Sequence, residues 1–487
     1  MIPTPPLSFP PILPELVLTG AAIVGLLYEA VARRPNRNLQ MAIGIAGVIG
    51  AAAATIPLWN WTGPVVVMGN MVSVDRFSVV SRLLLLSIAA MGILLGAHYL
   101  SRSGDAHRGE FFPLVLFATV GMTLITAAAD LIVVFLALEI LSLSLYVLTG
   151  ITGRRGSNEA AMKYFLLGAF SSAFFLYGVA MAYGATNSTR ITAIANALAG
   201  RTGSQGLALL ALAFLAVGFG FKVSAAPFHM WTPDVYEGAP TTVTAFMATA
   251  TKAAAFAAFL RIFSGVMVDL QPDWTAAIST IAVISMVVGN VAALVQSNMK
   301  RMLAYSSVAQ AGYLLIGVAV GSIDGAQAVI YYLLAYGAMT MAAFAVVIIR
   351  EREVEDGDTI AALTGYGRAR PVIGVVLTLA MLSLAGFPPL SGFVGKFLLF
   401  GSAVEADMTW LAIVGALGSI VSLGYYLRVV TVAWLPPPAG GPRKVLAIPG
   451  PVGIATVGCG VAIVVISLMA SPLLDACRGA AQSLLAP

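Results

Sequence analysis

The chain has 487 residues, of which 59% are hydrophobic and only 10% are charged. Soluble domains carry about 25% charged residues, so this composition excludes a soluble enzyme and a disordered scaffold. The net charge of +5 is too small for a nucleic-acid-binding surface. We therefore expect a protein embedded in the lipid bilayer, with no nucleic-acid partner.

The chain contains few of the residues that bind metals or haem. Its two cysteines exclude a disulfide framework, a zinc site of several thiolates and an iron–sulfur cluster. The three histidines are too few for a bis-histidine haem site: His98, His107 and His229. We expect no metal or cofactor in this chain. The N-terminus has no basic residue before the first apolar segment, so we also expect no cleavable signal peptide.

Apolar segments follow one another along the whole chain. A membrane helix needs about 20 predominantly apolar residues to cross about 30 Å of hydrocarbon. This window predicts fourteen spans: 12–31, 41–60, 78–99, 112–129, 131–150, 160–184, 206–235, 240–264, 274–296, 302–321, 325–349, 372–402, 409–435 and 449–470. Only short loops connect them, so the predicted fold is all-α and polytopic, with no soluble domain.

The basic residues predict the orientation. If the N-terminus is outside, the inward loops contain most arginines and lysines, including Arg33, Arg154, Lys300, Arg350 and Arg443. Few lie in the outward loops: Arg76, Arg190, Arg201 and Arg478. Because basic residues mark cytoplasmic loops, this bias predicts a multi-pass protein of the bacterial inner membrane with both termini on the periplasmic side.

Two predicted spans, 206–235 and 372–402, are long and contain internal prolines. Proline breaks a helix, and a bilayer tolerates the break where protein or a wet cavity covers it. Broken helices at corresponding places in two halves indicate a transport site. Each is the fourth span of a set of five, spans 4–8 and spans 9–13, and the odd number makes the second set an inverted repeat of the first.

These sets predict the domain organisation. The chain divides into an N-terminal three-helix segment, two five-helix repeats, and a C-terminal helix with its tail: 1–110, 111–264, 265–435 and 436–487.

Four ionisable residues lie near the middle of predicted spans: Glu139, Lys222, Lys252 and Lys396. A charge at the bilayer centre costs at least a few kcal/mol, so it indicates function by default. One glutamate neutralises only one of three lysines, so structural pairing does not explain them all. Buried lysines titrate closer to neutral pH, and a nearby carboxylate opposes that effect. The pattern predicts a proton path in which movement of Glu139 relative to Lys222 acts as a gate.

Two further residues are candidates for which a structural role stays open. Lys163 lies near the inner end of its span, from where its side chain can also reach the membrane interface. His229 follows the break after Lys222, so it is either a relay towards Lys252 or a hydrogen-bonded structural residue. The other cations within spans fit structural or interfacial positions: Arg82, Arg261 and Arg428.

Three segments resemble the antiporter-like membrane subunits of respiratory complex I. They read FGFKVSAAPFHMWTPDVYEGAPTTVTAF (219–246), QSNMKRMLAYSSVAQAGYLLIG (296–317) and LSLAGFPPLSGFVGKF (382–397). The resemblance extends over nearly the whole chain and implies fourteen helices with two inverted five-helix repeats. It also implies proton-transfer roles for the residues that match the family's ionisable positions: Glu139, Lys163, Lys222, Lys252 and Lys396.

The resemblance implies a proton-translocating subunit, coupled to electron transfer from NADH to quinone in partner subunits. FMN, iron–sulfur clusters and quinone are expected in those partners, and other antiporter-like and small membrane subunits are expected as neighbours. Two alternatives stay open. One is a subunit of a multi-subunit cation/proton antiporter driven by ion gradients, and the other is a structural subunit whose charges serve assembly.

Overall fold

A computed structural model describes residues 8–99, 109–436 and 446–485, apart from residues 34, 64, 201 and 266. In this part of the chain, twelve helices are long and apolar enough to cross a membrane. Two shorter apolar helices, Phe111–Thr126 and Pro371–Ala385, accompany them. The prediction of a helical membrane protein is confirmed.

The N-terminal segment contains three long helices and a small hairpin. The helices are α1 (Leu13–Val31), α2 (Arg37–Thr55) and α3 (Arg76–Tyr99), with 3₁₀ turns at Pro10–Ile12 and Ile56–Asn60. Strands β1 (Val66–Val67) and β2 (Val72–Ser73) pair antiparallel, with Val66 opposite Ser73. The span pattern did not predict this hairpin, because two-residue strands carry no periodic signal.

The next part of the chain carries α4 to α11. The bounds are α4 (Phe111–Thr126), α5 (Leu131–Gly150), α6 (Arg155–Thr186), α7 (Ile191–Ala199), α8 (Gln205–Lys222), α9 (Thr232–Gly238), α10 (Thr241–Phe246), a π-helix (Met247–Thr251) and α11 (Lys252–Phe263). Asp130 caps α5, because its side chain accepts a hydrogen bond from the Ile132 amide.

The remaining chain carries α12 to α20. The bounds are α12 (Gln271–Leu294), α13 (Met299–Val320), α14 (Ile323–Glu351), α15 (Tyr366–Ala369), α16 (Pro371–Ala385), α17 (Ser391–Glu405), α18 (Thr409–Trp434), α19 (Gly450–Leu468) and α20 (Ala470–Leu485), with 3₁₀ turns at Val268–Leu270 and Ala361–Leu363. Asn298 and Ser322 cap α13 and α14 through their side chains.

Both predicted helix breaks are present. The first separates α8 from α9 over residues 223–231, and the second separates α16 from α17 over residues 386–390. At the second break, Gly386 adopts a φ of +84°, which glycine reaches without steric cost. A helix end leaves its last carbonyl groups without partners in the helix, so both breaks present free carbonyls to neighbouring side chains.

The helices that cross the centre of the protein are the most buried. All residues in the apolar window of 241–263 are buried, as are 94% in α13 and 89% in α14, against 33% in α1, α2 and α6. These three central segments carry Lys252, Ser307 and Tyr336, and these three residues are buried inside the protein.

Candidate functional site

The first part of the site lies between α5 and α8. Lys222 is buried and donates a 2.6 Å hydrogen bond to the Ser142 hydroxyl, which itself donates to the Leu138 carbonyl. Glu139 lies one turn before Ser142 and accepts a 2.5 Å hydrogen bond from Ser172. Through Ser142, Lys222 is held close to the turn of α5 that carries Glu139. Among the ion pairs of the described residues, however, none joins these two, so acid and base are neighbours held apart.

Aromatic rings surround the Lys222 ammonium. Its Nζ lies 5.9 Å from the centre of the Tyr146 ring and 5.7 Å from that of Phe221, within cation–π range. Tyr146 packs edge-on against Tyr164, at 4.8 Å between ring centres, and Tyr164 stacks on Trp231 at 4.6 Å. The cation is therefore stabilised by hydroxyl and π contacts in place of a direct carboxylate partner.

Lys252 is the second of three buried lysines, Lys222, Lys252 and Lys396, which together form the lysine row. It follows the π-helix at Met247–Thr251, a local widening that frequently marks functional positions. Its ammonium donates to the main-chain carbonyls of Val223 (3.0 Å) and Ser307 (2.5 Å), and it lies 5.7 Å from the Tyr336 ring centre. Lys252 therefore connects the break after α8 to the central helix α13.

Lys396 occupies the second break. It is buried on α17 and donates to the carbonyls of Leu384 (3.1 Å) and Ala385 (3.2 Å) at the end of α16. It also lies 4.5 Å from the centre of the Tyr313 ring. The C-terminal end of a helix carries partial negative charge, which favours a cation at this place.

Gln310 on α13 links the surroundings of Lys396 to the middle of the protein. Its amide donates at 3.2 Å both to the Leu384 carbonyl, which Lys396 shares, and to the Tyr426 hydroxyl. Its carbonyl accepts a 2.5 Å hydrogen bond from Tyr332. The donor nitrogen and the carbonyl oxygen of this buried amide therefore both have partners, which lie on α14, α16 and α18.

Two serines complete the connection to Lys252. Ser306 hydrogen-bonds to Tyr426, and the adjacent Ser307 presents its carbonyl to Lys252. The Ser307 hydroxyl accepts a 3.1 Å hydrogen bond from Tyr336. Lys252 is therefore bound to Ser307, and the adjacent Ser306 is connected by hydrogen bonds through Tyr426 and Gln310 to the Leu384 carbonyl that Lys396 also binds.

The sequence reasoning missed the polar residues of α13. Ser306, Ser307 and Gln310 lie inside the recognised segment 296–317, yet no role was assigned to them. The available signal is their spacing: two hydroxyls and an amide fall on neighbouring turns of an otherwise apolar helix. In a membrane interior such groups require partners in the protein, so they indicate a polar network.

Lys163 lies apart from this row. Its ammonium pairs with Glu159 (3.0 Å) and Asp234 (2.8 Å), and 43% of its side chain is exposed. Asp234 also pairs with Arg301 at 2.9 Å, and Arg301 pairs with Glu237 at 2.8 Å. Lys163 therefore belongs to an ion-pair cluster that fastens α6 and α13 to α9.

His229 lies in the segment between α8 and α9 and is half-buried. Its carbonyl accepts a 2.8 Å hydrogen bond from the Thr232 amide. Among the hydrogen bonds of the described residues, none joins its ring to Lys222 or Lys252. The structure therefore brings neither Lys163 nor His229 into contact with the row of buried lysines.

The buried arginines have structural partners. Arg82 pairs with Glu15 at 2.9 Å, and Arg261 pairs with Asp75 at 2.8 Å. Asp75 precedes α3 and lies outside the spans. Burial on its own raises the pKa of the Asp75 carboxyl, but the charge and hydrogen bonds of Arg261, with hydrogen bonds from Ser78 and Ser73, outweigh burial and hold that pKa below its usual value.

No group of three or more histidine, cysteine, aspartate or glutamate side chains is gathered for a metal ion in the described part of the chain. Cys459 and Cys477 are buried free thiols. The groups described at this site are amines, hydroxyls and one carboxylate.

The family described as NADH:quinone oxidoreductase/Mrp antiporter, transmembrane, matches residues 128–422. The chain belongs to this family. A relative from Trichlorobacter lovleyi, named NADH-quinone oxidoreductase subunit N, is 44% identical over 428 residues, which cover 88% of this chain and 87% of the relative. A relative of the same name from Salinibacter ruber is 43% identical and covers 91% of both chains. The quoted motifs also resemble subunit N more than the other antiporter-like subunits, and these relatives agree with that expectation.

Solved structures agree with the family assignment. A chain in respiratory complex I from Thermus thermophilus with bound aureothin is 37% identical, with a TM-score of 0.80 over 95% of this chain and 98% of that chain. A chain in the Mrp complex from Dietzia sp. has a TM-score of 0.85 at 24% identity, over 99% and 98% of the two chains, and shares the fold. The protein is an antiporter-like membrane subunit of the complex I family.

Proposed function

We propose that the chain is a proton-translocating membrane subunit of an NADH:quinone oxidoreductase, in which protons pass along Glu139, Lys222, Lys252 and Lys396. The observation that carries the proposal is the polar connection from Lys252 through Gln310 to Lys396. Burying several cations in the membrane interior is costly. Packing between helices does not need buried cations, whereas proton transfer requires ionisable groups within reach of one another.

Glu139 acts as the gate in this proposal. A carboxylate that approaches an ammonium stabilises the charged form of the amine, and one that withdraws removes that stabilisation. Ser142 and Ser172 hold the two groups close without direct pairing. Movement of Glu139 towards Lys222 therefore retains a proton on Lys222, and movement away releases it towards Lys252.

Lys163 and His229 have a secondary place in the route. The exposed ion pairs of Lys163 favour a role in fastening α6 to α9 on the inner side. His229 becomes a relay only if the segment between α8 and α9 rearranges to bring its ring towards Lys222.

The proposal includes fourteen crossings, ten of which form two inverted five-helix repeats, 111–264 and 265–435. The short helix α4 and the broken pair α16–α17 supply the two crossings beyond the twelve long helices. The matching positions of the two breaks support the repeat. The basic loops support an orientation in a bacterial inner membrane with both termini outside.

The redox chemistry belongs to partner subunits in this proposal. FMN, iron–sulfur clusters and quinone are assigned to those subunits, and their electron transfer reaches this chain as a change in charge or hydration near Glu139. The neighbours in the membrane are other antiporter-like and small membrane subunits.

The direct test replaces Lys222 with alanine in the assembled complex and measures protons moved per NADH oxidised in liposomes. We expect Lys222→Ala to assemble and to pump fewer protons per NADH. Arg368→Gln, which alters an exposed arginine of the basic loops, serves as the control. Unchanged pumping in Lys222→Ala would remove the assignment.

The second candidate function is a subunit of a cation/proton antiporter without redox partners. The fold that the chain shares with the Dietzia Mrp complex favours it. Copurification separates the two: association with NADH-oxidising subunits supports the first function, and association only with ion-gradient-driven membrane subunits supports the second.

A further inference from the structure

A polar cavity of about 540 Å³ opens on the face that carries the basic loops. It lies where the ends of α9 and α14 approach the start of α13. Charged side chains of both signs line it, including Arg154, Glu237, Lys300, Glu351, Glu355 and Asp358. Glu355 is exposed, so the cavity communicates with the surface.

Lys300 lines this cavity and is only 4% exposed. Its ammonium donates one 2.8 Å hydrogen bond, to the Ala239 carbonyl, and the ion pairs of the described residues include none with Lys300. It is the second residue of α13, where the helix dipole disfavours a cation. The adjacent Arg301, in contrast, has two carboxylate partners. Stability alone therefore does not explain a buried ammonium here.

The segment that binds Lys300 follows α9, whose buried tyrosine lies near the surroundings of Lys252. The Ala239 carbonyl that accepts from Lys300 directly follows α9, which carries the buried Tyr236. The Tyr236 hydroxyl faces the side chains of Ser224 and Ser307. The Ser307 carbonyl is the one that Lys252 binds at 2.5 Å.

We propose that this cavity is the mouth through which protons from the inner side reach the row, and that Lys300 transfers them towards Lys252 by way of Tyr236 and Ser307. This inference rests on the proposed function. Acidic groups in the cavity raise the local concentration of cations, protons included. Lys300 gives a proton to the hydroxyl relay and takes one from cavity water, and each hydroxyl passes on one proton for each it receives.

The test uses two variants of Lys300 in the complete complex. Lys300→Arg keeps the positive charge and a donor for the Ala239 carbonyl, but a guanidinium does not release its proton. Lys300→Met removes both. We expect both variants to lower protons pumped per NADH oxidised to the level of Lys252→Met. Wild-type pumping in Lys300→Arg would mean that only the charge matters and would overturn the inference.

A labelling experiment covers the case in which the Lys300 variants fail to assemble. Glu355→Cys places a thiol at the cavity, and Asp324→Cys places one at the opposite end of α14, while both native cysteines are buried. We expect a bulky cationic thiosulfonate to reduce pumping severalfold at position 355 and to leave it unchanged at position 324. Full pumping after complete labelling at 355 rejects the cavity as the mouth.

The Lys252→Met variant separates this inference from the proposed function. If Lys252→Met loses pumping while Lys300→Arg and labelled Glu355→Cys keep it, the function stands and the cavity is not the route. If Lys252→Met itself pumps normally, the proposed function fails.

Discussion

Lys252 donates a 3.0 Å hydrogen bond to the main-chain carbonyl of Val223, the residue directly after Lys222. Since α8 ends at Lys222, this carbonyl belongs to the helix break. The second break has the same relationship, because Lys396 binds the Leu384 and Ala385 carbonyls at the end of α16. Each break therefore positions an ammonium group by supplying carbonyls that an unbroken helix would have used internally.

The first prediction concerns Lys252→Met. The substitution keeps an unbranched apolar side chain, one atom shorter, but removes the ammonium, and it leaves the Val223 and Ser307 carbonyls without this donor. Because each buried carbonyl left unpaired costs about 1–3 kcal/mol, we expect a lower thermal midpoint as well as loss of most coupled pumping. Pumping is measured as protons moved per NADH oxidised in liposomes.

Lys163→Met is the matched control for Lys252→Met. Its side chain is 43% exposed and lies in a surface ion-pair cluster, so the substitution is expected to change stability little. We expect the pumping ratio to stay close to the wild type. Equal losses of pumping in the two variants would contradict the distinction between the buried lysine row and the exposed ion-pair cluster that contains Lys163.

The second prediction concerns Gly168 on α6. A Cβ atom there would lie 1.9 Å from the Tyr146 hydroxyl oxygen and 2.7 Å from its Cζ, so Tyr146 must move away from its place beside Lys222. We expect Gly168→Ala to destabilise the subunit by about 1–3 kcal/mol, as overpacked positions do, and to reduce pumping. Thermal unfolding and the proton-to-NADH ratio provide the measurements.

Gly184→Ala on the same helix is the control. A Cβ atom there meets only Leu207 Cδ1, at an ordinary contact distance of 3.5 Å. Pumping and stability are expected to match the wild type or improve slightly, because alanine is the better helix former. The idea fails if both glycine variants behave alike.

The sequence predicted the features that depend on local pattern. Long apolar segments indicated the membrane helices, and the prolines at 227 and 388–389 located both breaks. The mid-span positions of Lys222, Lys252 and Lys396 identified three of the cations that the structure buries. In each case the signal lies within one segment of chain.

Features that depend on distant parts of the chain could not be predicted. Gln310 meets the Leu384 carbonyl across 74 residues, and no pattern within α13 specifies that partner. The sequence pattern places Lys300 in an inward loop, yet the fold buries this residue against Ala239. Conversely, Lys163 lies within a predicted span, but its ammonium pairs with the exposed carboxylates of Glu159 and Asp234.

The third prediction concerns Gln310→Leu. Leucine fills a similar volume but removes the acceptor of the Tyr332 hydroxyl and the donor to Leu384 and Tyr426. We expect loss of about 1–3 kcal/mol of stability and a fall in pumping towards that of Lys396→Met, because the connection between Lys252 and Lys396 is interrupted. The proton-to-NADH ratio is compared at equal assembly.

Gln327→Leu is the control for the amide substitution. Gln327 donates a single 3.0 Å hydrogen bond to the Leu474 carbonyl, away from the lysine row. We expect a small loss of stability with unchanged pumping. If Gln310→Leu also pumps normally once assembled, the route between the two lysines does not pass through Gln310.

The buried pair of Asp75 and Arg261 makes stability depend on pH. Arg261 donates to both oxygens of the Asp75 carboxylate, at 2.8 and 3.1 Å, and also to the Thr126 carbonyl. The pKa of Asp75 is lower in the folded protein than the unfolded value of about 3.9. Its stabilising contribution is therefore fully present above that value and is lost as the pH falls through the lower, folded pKa.

The fourth prediction follows for Asp75→Asn, measured by thermal unfolding of the purified complex in detergent. We expect a loss of about 3–5 kcal/mol near neutral pH, because Arg261 keeps its buried charge without a counter-ion. The variant should also lack the part of the acid-induced destabilisation that Asp75 causes in the wild type. Asp324→Asn is the control, since its 3.7 Å pair with Arg478 is exposed and is expected to contribute about 0–1 kcal/mol. An Asp75→Asn variant as stable as the control at neutral pH would show that the buried pair contributes nothing to holding α3 against α11.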